Sequence, residues 1–119
     1  MALRRYIIER DIPKVGTFER DQLREAAKTS NAALAQLAPD IQWVESYVAN
    51  DKTFCVYLAK DEAVIMRHAE ISGFPATKIT EVRKTIDPTT AAEAATRIRK
   101  AAMNRLLATS MSRIGYHKP

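Results

Sequence analysis

The alternation of apolar and polar residues at the start of the chain predicts a strand followed by an amphipathic helix. Tyr6, Ile8 and Ile12 share one face of the segment 3–12, with Arg10 interrupting that face. After a turn, Thr17 is expected to cap a helix that ends before Pro39. This helix is expected to present a stripe of apolar and small residues at steps of three and four: Leu23, Ala27, Ser30, Leu34 and Leu37.

The next two alternating segments predict a β-hairpin, because residues 41–48 and 53–59 are joined by a polar turn at 49–52. In a strand, successive side chains point to opposite faces, so the hairpin offers two sets of residues. We expect the aliphatic set to pack beneath the helices: Val44, Val48, Phe54, Val56 and Leu58. We expect the more aromatic and polar set to form an interface or a pocket on the face away from the helices: Trp43, Glu45, Tyr47, Cys55 and Tyr57. A second subunit or the C-terminal helix is expected to cover this face.

A second helix and a fourth strand complete the pattern. Asp61 is expected to cap the helix and Gly73 to end it, and residues 78–86 are expected to form the strand. The order strand, helix, strand, strand, helix, strand predicts an α+β, ferredoxin-like βαββαβ domain. Such a domain has a four-stranded antiparallel sheet with two helices on one face. Beyond it, the motif Thr90-x-x-Glu93 predicts a capped extra C-terminal helix.

The positive charge of the chain is confined to its C-terminal end. Among 119 residues, positions 1–88 carry 13 Lys+Arg and 13 Asp+Glu, whereas positions 89–119 carry six and one, which accounts for the whole net charge of +5. A hydrophobic share of 46% and a charged share of 28% are typical of a folded protein. We therefore expect a neutral ferredoxin-like domain at 1–88 and a basic helical extension at 89–119.

The cysteine content and the absence of long apolar segments predict a cytoplasmic protein. Cys55 is the single cysteine, which excludes an internal disulfide and fits a reducing compartment. No apolar run approaches the roughly 20 residues of a membrane span. The N-terminal residues lead directly into a strand pattern rather than a secretory signal.

Several separated motifs resemble those of one protein family. They read YIIERDIP at 6–13, PDIQWVESYVANDKTFCVYLA at 39–59, IMRHA at 65–69, GFPA at 73–76 and VRxxIDPTT at 82–90. Together these segments resemble a family of small bacterial proteins that was catalogued as a domain of unknown function and is often labelled nickel-binding protein. The resemblance covers roughly residues 5–90. It implies a ferredoxin-like fold, a homodimer and the binding of a divalent metal, nickel(II) by the family label.

Three residues are candidate metal ligands, since nickel(II) accepts imidazole, thiolate and carboxylate donors. They are His68, Cys55 and Glu45, and each has a simpler interpretation. The histidine could be partly buried with one hydrogen bond, the cysteine a small buried hydrophobe, and the glutamate part of an ion pair across a dimer interface. If the helices cover the face opposite Glu45 and Cys55, His68 reaches them only near a sheet edge or from a second subunit.

Two other functions remain open at this point. Dimeric α+β barrels include small monooxygenases, and a pocket lined by Trp43, Tyr47, Tyr57 and Phe74 beside His68 would suit an enzyme or a small-molecule-binding protein. No nucleophile elbow, phosphate loop or nucleotide fingerprint is present in the sequence, so a non-catalytic role is favoured. Nucleic-acid binding is not expected, because the third strand lacks the RNA-recognition signature and Glu45 repels phosphate.

Overall fold

The computed structural model describes residues 2–93. The chain divides into two compact units, with the boundary between Arg83 and Lys84. The elements, in chain order, are β1 (Arg4–Asp11), α1 (Arg20–Leu37), β2 (Ile41–Val48), β3 (Lys52–Ala59), α2 (Glu62–Ser72), β4 (Lys78–Glu81) and α3 (Thr90–Glu93). The remainder of the predicted C-terminal helix lies outside the described residues.

The four strands form one antiparallel sheet in the order β2-β3-β1-β4. The central strand β1 lies between β3 and β4, so that Ile8 is opposite Cys55 on one side and Ile79 on the other. Helices α1 and α2 pack together on one face of the sheet, where Leu34 of α1 and Ile65 of α2 contact the same core. The structure therefore confirms the predicted α+β, ferredoxin-like domain.

The face of β3 that the helices cover is the opposite of the predicted one. Phe54, Val56 and Leu58 were expected beneath the helices, but all three are only half-buried on the other side of the sheet. The fully buried residues of β3 include Cys55 and Tyr57, which were expected on the face away from the helices. Tyr57 can be buried because its hydroxyl accepts a hydrogen bond from a buried arginine of β1.

A β-bulge in β2 explains why the aromatic set predicted on one face is divided between two. The register shifts between Trp43, which pairs with Tyr57, and Glu45, which pairs with Val56. The extra residue, Val44, reverses the alternation of every side chain beyond it. Trp43 therefore packs against the core beneath the helices, whereas Glu45 lies on the opposite face. Neither α1 nor α2 covers that face, which is called the open face below.

Side-chain caps fix the ends of both helices on the sheet. Helix α1 begins later than Thr17, since a capping box between Glu19 and Gln22 satisfies its first turn. Helix α2 has the predicted boundaries: the Asp61 carboxylate accepts from the Val64 amide, and Gly73 ends the helix at a φ of 82°. These caps set where each helix crosses the sheet.

The last strand is shorter than the sequence pattern predicts. Strand β4 ends at Glu81 rather than near residue 86, and Ile86 is 77% exposed. In the second unit, the start of α3 is capped from upstream. The Asp87 carboxylate accepts two hydrogen bonds from Thr89, and the Thr90 hydroxyl oxygen accepts one from the Asp87 amide. The hydrogen bonds from the side chain and backbone of Thr89 lower the pKa of the Asp87 carboxyl group.

Candidate functional site

His68 projects from α2 into the layer between helices and sheet, and it is fully buried. Its Nε2 lies 3.1 Å from the Ser30 hydroxyl of α1. Its Nδ1 is buried without a hydrogen-bond partner, and its ring packs against Tyr57 with the centroids 5.3 Å apart. Burial lowers the pKa of His68, and the positive charge of Arg10 lowers it further. Burial and the nearby guanidinium thus both favour the neutral imidazole.

Arg10 is the most unusual residue of this layer, because its charged side chain is only 2% exposed. Its guanidinium donates to the Pro75 carbonyl at 2.8 Å, to the Phe74 carbonyl at 3.4 Å and to the Tyr57 hydroxyl at 3.3 Å. It also lies 5.7 Å from the centre of the Tyr57 ring. These contacts fix the guanidinium against the segment that follows α2.

A cavity of about 590 Å³ opens beside Arg10, between the sheet and α1. Trp43 and Phe74, two of the residues predicted to line a pocket, do line it. Its wall also includes Cys55 and the hydroxyl-bearing residues Ser30, Ser46 and Thr53. The rest of the wall is largely apolar, and its only charged side chains in the described part of the chain are those of Arg10 and Arg20. The other residues are Ile12, Val15, Phe18, Leu23, Ala26, Ala27, Val48, Gly73 and Pro75.

Tyr47 and Glu45 lie away from this cavity, on the open face of the sheet. Tyr47 is 57% exposed, and its hydroxyl donates to the Glu45 carboxylate. That hydrogen bond, together with the carboxylate charge, raises the pKa of Tyr47. The cavity therefore differs from the pocket predicted beside Tyr47 and His68: it lies on the sheet face opposite Tyr47, and neither residue is part of its wall.

The three predicted metal ligands do not meet within one subunit. Cys55 and His68 are buried on the helix side of the sheet, whereas Glu45 is exposed on the open face. Among residues 2–93, no group of three or more His, Cys, Asp or Glu side chains is arranged to hold a metal ion. A single centre formed by His68, Cys55 and Glu45 of one chain does not fit this geometry.

Sequence reasoning missed two residues of the helix side, Arg10 and the hydroxyl partner Ser30. The signal for Arg10 was present, because it falls on the same strand face as Tyr6 and Ile8. An arginine at an otherwise apolar position of a central strand indicates a buried charge with a specific partner. Ser30 lies on the predicted apolar stripe of α1, where a hydroxyl indicates a polar contact inside the layer.

The lowered pKa of His68 makes a prediction about pH. The folded protein disfavours the imidazolium form of His68. The free energy of unfolding therefore loses nothing to this group above about pH 6.5, the pKa of histidine in the unfolded chain, and declines as the pH falls from there toward the lower pKa of His68 in the folded protein. The decline attributable to one group is at most about 1.4 kcal/mol per pH unit. Urea unfolding between pH 7.5 and 5.5 should show a shallower pH dependence in His68→Gln than in the unchanged protein. Identical slopes would show that His68 titrates normally in the folded state.

Among residues 2–93, no helix combines the length and apolar character needed to cross a membrane. Comparison with curated protein sequences gives no significant match. Among solved structures, the crystal structure of SCO4226 from Streptomyces coelicolor A3(2) is similar over 69% of this chain and 99% of its own, with a TM-score of 0.58 and 16% identity. That likeness supports the fold. The model of the family described as nickel responsive protein SCO4226-like matches residues 6–82. The chain therefore belongs to the SCO4226-like family of nickel responsive proteins.

Proposed function

We propose that this protein binds nickel(II) without catalysing a reaction, as a cytoplasmic homodimer. The observation that carries the proposal is membership of the nickel responsive family, whose model covers both sheet-packed helices and all four strands except the first two residues of β1. The geometry restricts where the metal can bind. An exposed donor is directly accessible to a metal ion from solvent, whereas two of the three predicted donors, Cys55 and His68, are buried.

Glu45 is the donor that best meets this requirement. It is exposed on the open face, and a carboxylate is an accepted nickel ligand. The Tyr47 hydroxyl donates to it, which is the type of outer contact that orients a ligating carboxylate. No described cation within 4 Å neutralises Glu45, since none of the ion pairs among residues 2–93 includes it.

The same face supports the homodimer. Ile7, Phe54, Val56 and Leu58 form an apolar, half-buried centre, and Tyr47 is an exposed aromatic at its margin. Two copies that packed these faces together would bury the apolar centre. In such a pair each subunit contributes a Glu45, so that the metal's ligands come from both subunits. Water would complete the coordination.

Calorimetric titration of chelator-treated protein with nickel(II) chloride tests this assignment. We expect saturable binding by the unchanged protein and at least tenfold weaker binding by Glu45→Gln, because the substitution removes the anionic donor. Glu25→Gln is the matched control, since Glu25 is also exposed but lies on α1, where it pairs with Lys28. This control should bind nickel as the unchanged protein does.

Two further variants separate the ligand assignment from the proposed function. Cys55→Ala and His68→Gln should retain nickel affinity, because both side chains are buried away from the open face. Loss of binding in either of them, with Glu45→Gln unaffected, would show that the metal lies on the helix side. The absence of nickel binding by the unchanged protein would overturn the proposed function itself.

The enzyme alternative has one supporting observation, the cavity between the sheet and α1. A pocket of the monooxygenase type was expected to bring Tyr47 and His68 together as acid and base groups. The wall of the cavity contains neither of them, and it contains no Asp or Glu side chain. Its chemistry fits binding better than proton transfer, and the non-catalytic proposal is therefore retained.

A further inference from the structure

The cavity between the sheet and α1 has an unusual combination of properties. Its volume of about 590 Å³ lies within the roughly 300–1,000 Å³ of small-molecule sites. The wall is mostly apolar, with aromatic surfaces from Trp43 and Phe74. All of its formally charged side chains, Arg10 and Arg20, are positive. A metal cation would be repelled by this wall, so the site is separate from the proposed nickel site.

The buried guanidinium of Arg10 lacks an anionic partner in the described chain. None of the ion pairs among residues 2–93 involves it. Its three hydrogen bonds go to two carbonyls and the Tyr57 hydroxyl, all uncharged. Since a guanidinium has five N–H donors, at least two remain for another acceptor. Buried charges are normally paired, because an isolated charge in an apolar layer is costly.

We propose that this cavity binds a small, largely apolar molecule that carries a single carboxylate, with Arg10 as its anchor. The carboxylate would accept from the unused N–H donors of the guanidinium, a geometry that favours planar anions. The apolar part of the ligand would lie against Trp43, Phe74 and the small residues Ala26 and Ala27 of α1.

Trp43 makes the proposal directly measurable, because it lines the cavity and is the single tryptophan of the chain. Sodium decanoate is the probe, and decanamide is its uncharged match of the same length. We expect decanoate to change the tryptophan fluorescence saturably and to bind at least tenfold more tightly than decanamide. Raising the salt concentration should weaken decanoate binding and leave decanamide binding unchanged.

Arg10→Gln should remove the preference for decanoate over decanamide while leaving decanamide affinity unchanged. Arg24→Gln is the control, since Arg24 is exposed on the same helix as the cavity wall, pairs with Asp21 and does not line the cavity. It should keep the full preference. Should Arg10→Gln fail to fold, the comparison of decanoate with decanamide in the unchanged protein decides the matter alone.

The position of the site is tested by filling it. Ala27→Phe places a ring in the cavity and should abolish binding of both probes, whereas Ala32→Phe, at an exposed position of α1, should not. Equal affinity for decanoate and decanamide, no fluorescence response to either, or a full decanoate preference in Arg10→Gln would each overturn the proposal. None of these results depends on nickel, so the proposed metal function is judged separately.

Discussion

Ile65→Ala should reduce the free energy of unfolding by about 2–5 kcal/mol, the range for removing a large aliphatic side chain from a closed core. Ile65 is 1% exposed and belongs to the cluster that joins α2 to the inner face of β1 and β3. The surrounding residues Tyr6, Ile8 and Tyr57 are held by strand pairing, so the core cannot collapse fully into the space. Urea denaturation at neutral pH measures the change.

The neighbouring residue supplies a matched control. Met66 lies on the same turn of α2 but is 46% exposed, so Met66→Ala should change stability by no more than about 0.5 kcal/mol. A similar loss in both variants would mean that the helix turn as a whole, rather than the face toward the sheet, limits stability. That result would contradict the orientation of α2, in which Ile65 is buried and Met66 is exposed.

Gly16→Ala should reduce stability by about 1–3 kcal/mol, because this position has no room for a Cβ atom. A Cβ built on Gly16 would lie 2.8 Å from the Ala49 carbonyl oxygen and 2.8 Å from the Asn50 Cα, both backbone atoms of the β2–β3 turn. The Gly16 amide already donates to the Asn50 carbonyl at 2.9 Å. Gly16 lies in a short 3₁₀ helix, Val15–Thr17, so relief requires this helix and the β2–β3 turn to separate. Thermal or urea unfolding measures the loss.

Gly73 offers a glycine in the opposite situation. A Cβ at Gly73 would meet nothing within 4 Å, and the position instead requires a φ of +82°. Asparagine tolerates that region better than other residues, so Gly73→Asn should cost less than about 1 kcal/mol. If Gly16→Ala proved as mild as this control, the close approach between residues 16 and 50 would be wrong.

The order of strands and helices could be predicted from the sequence because each element has a local signal. Alternation marks β1, β2 and β3, a stripe at steps of three and four marks α1, and Asp61 and Gly73 delimit α2. These signals depend on neighbouring residues alone. The fourth strand was predicted too long, because β-forming residues continue beyond Glu81 although the residue pairing with β1 ends there.

The covered face of the sheet could not be predicted in the same way. Strand β3 is apolar on both sides, and the choice between Val56 and Tyr57 as the buried residue depends on a partner 47 positions away, Arg10. A one-residue bulge at Val44 further divides Trp43 from Glu45. Both effects are non-local, so residue size alone favoured the wrong side.

The candidate sites were predicted in part, because they depend on which face of the sheet each residue occupies. Glu45 and Tyr47 were correctly expected on the open face, and Trp43 and Phe74 do line a cavity. The sequence did not reveal that Glu45 and Tyr47 lie on one face of the sheet while Trp43 and Phe74 lie on the other. His68 lies in the helix layer, where its Nε2 is 3.1 Å from the Ser30 hydroxyl. The nickel ligands remain predictions until the metal is located.

A crystal structure grown with nickel(II), with diffraction data recorded on both sides of the nickel absorption edge, tests the central proposal most directly. We predict an anomalous peak beside the Glu45 carboxylate, between the open sheet faces of two copies of the chain. A peak in the helix layer between Cys55 and His68 would contradict the ligand assignment. The absence of any anomalous peak in crystals grown with nickel in molar excess over the protein would contradict nickel binding by this protein.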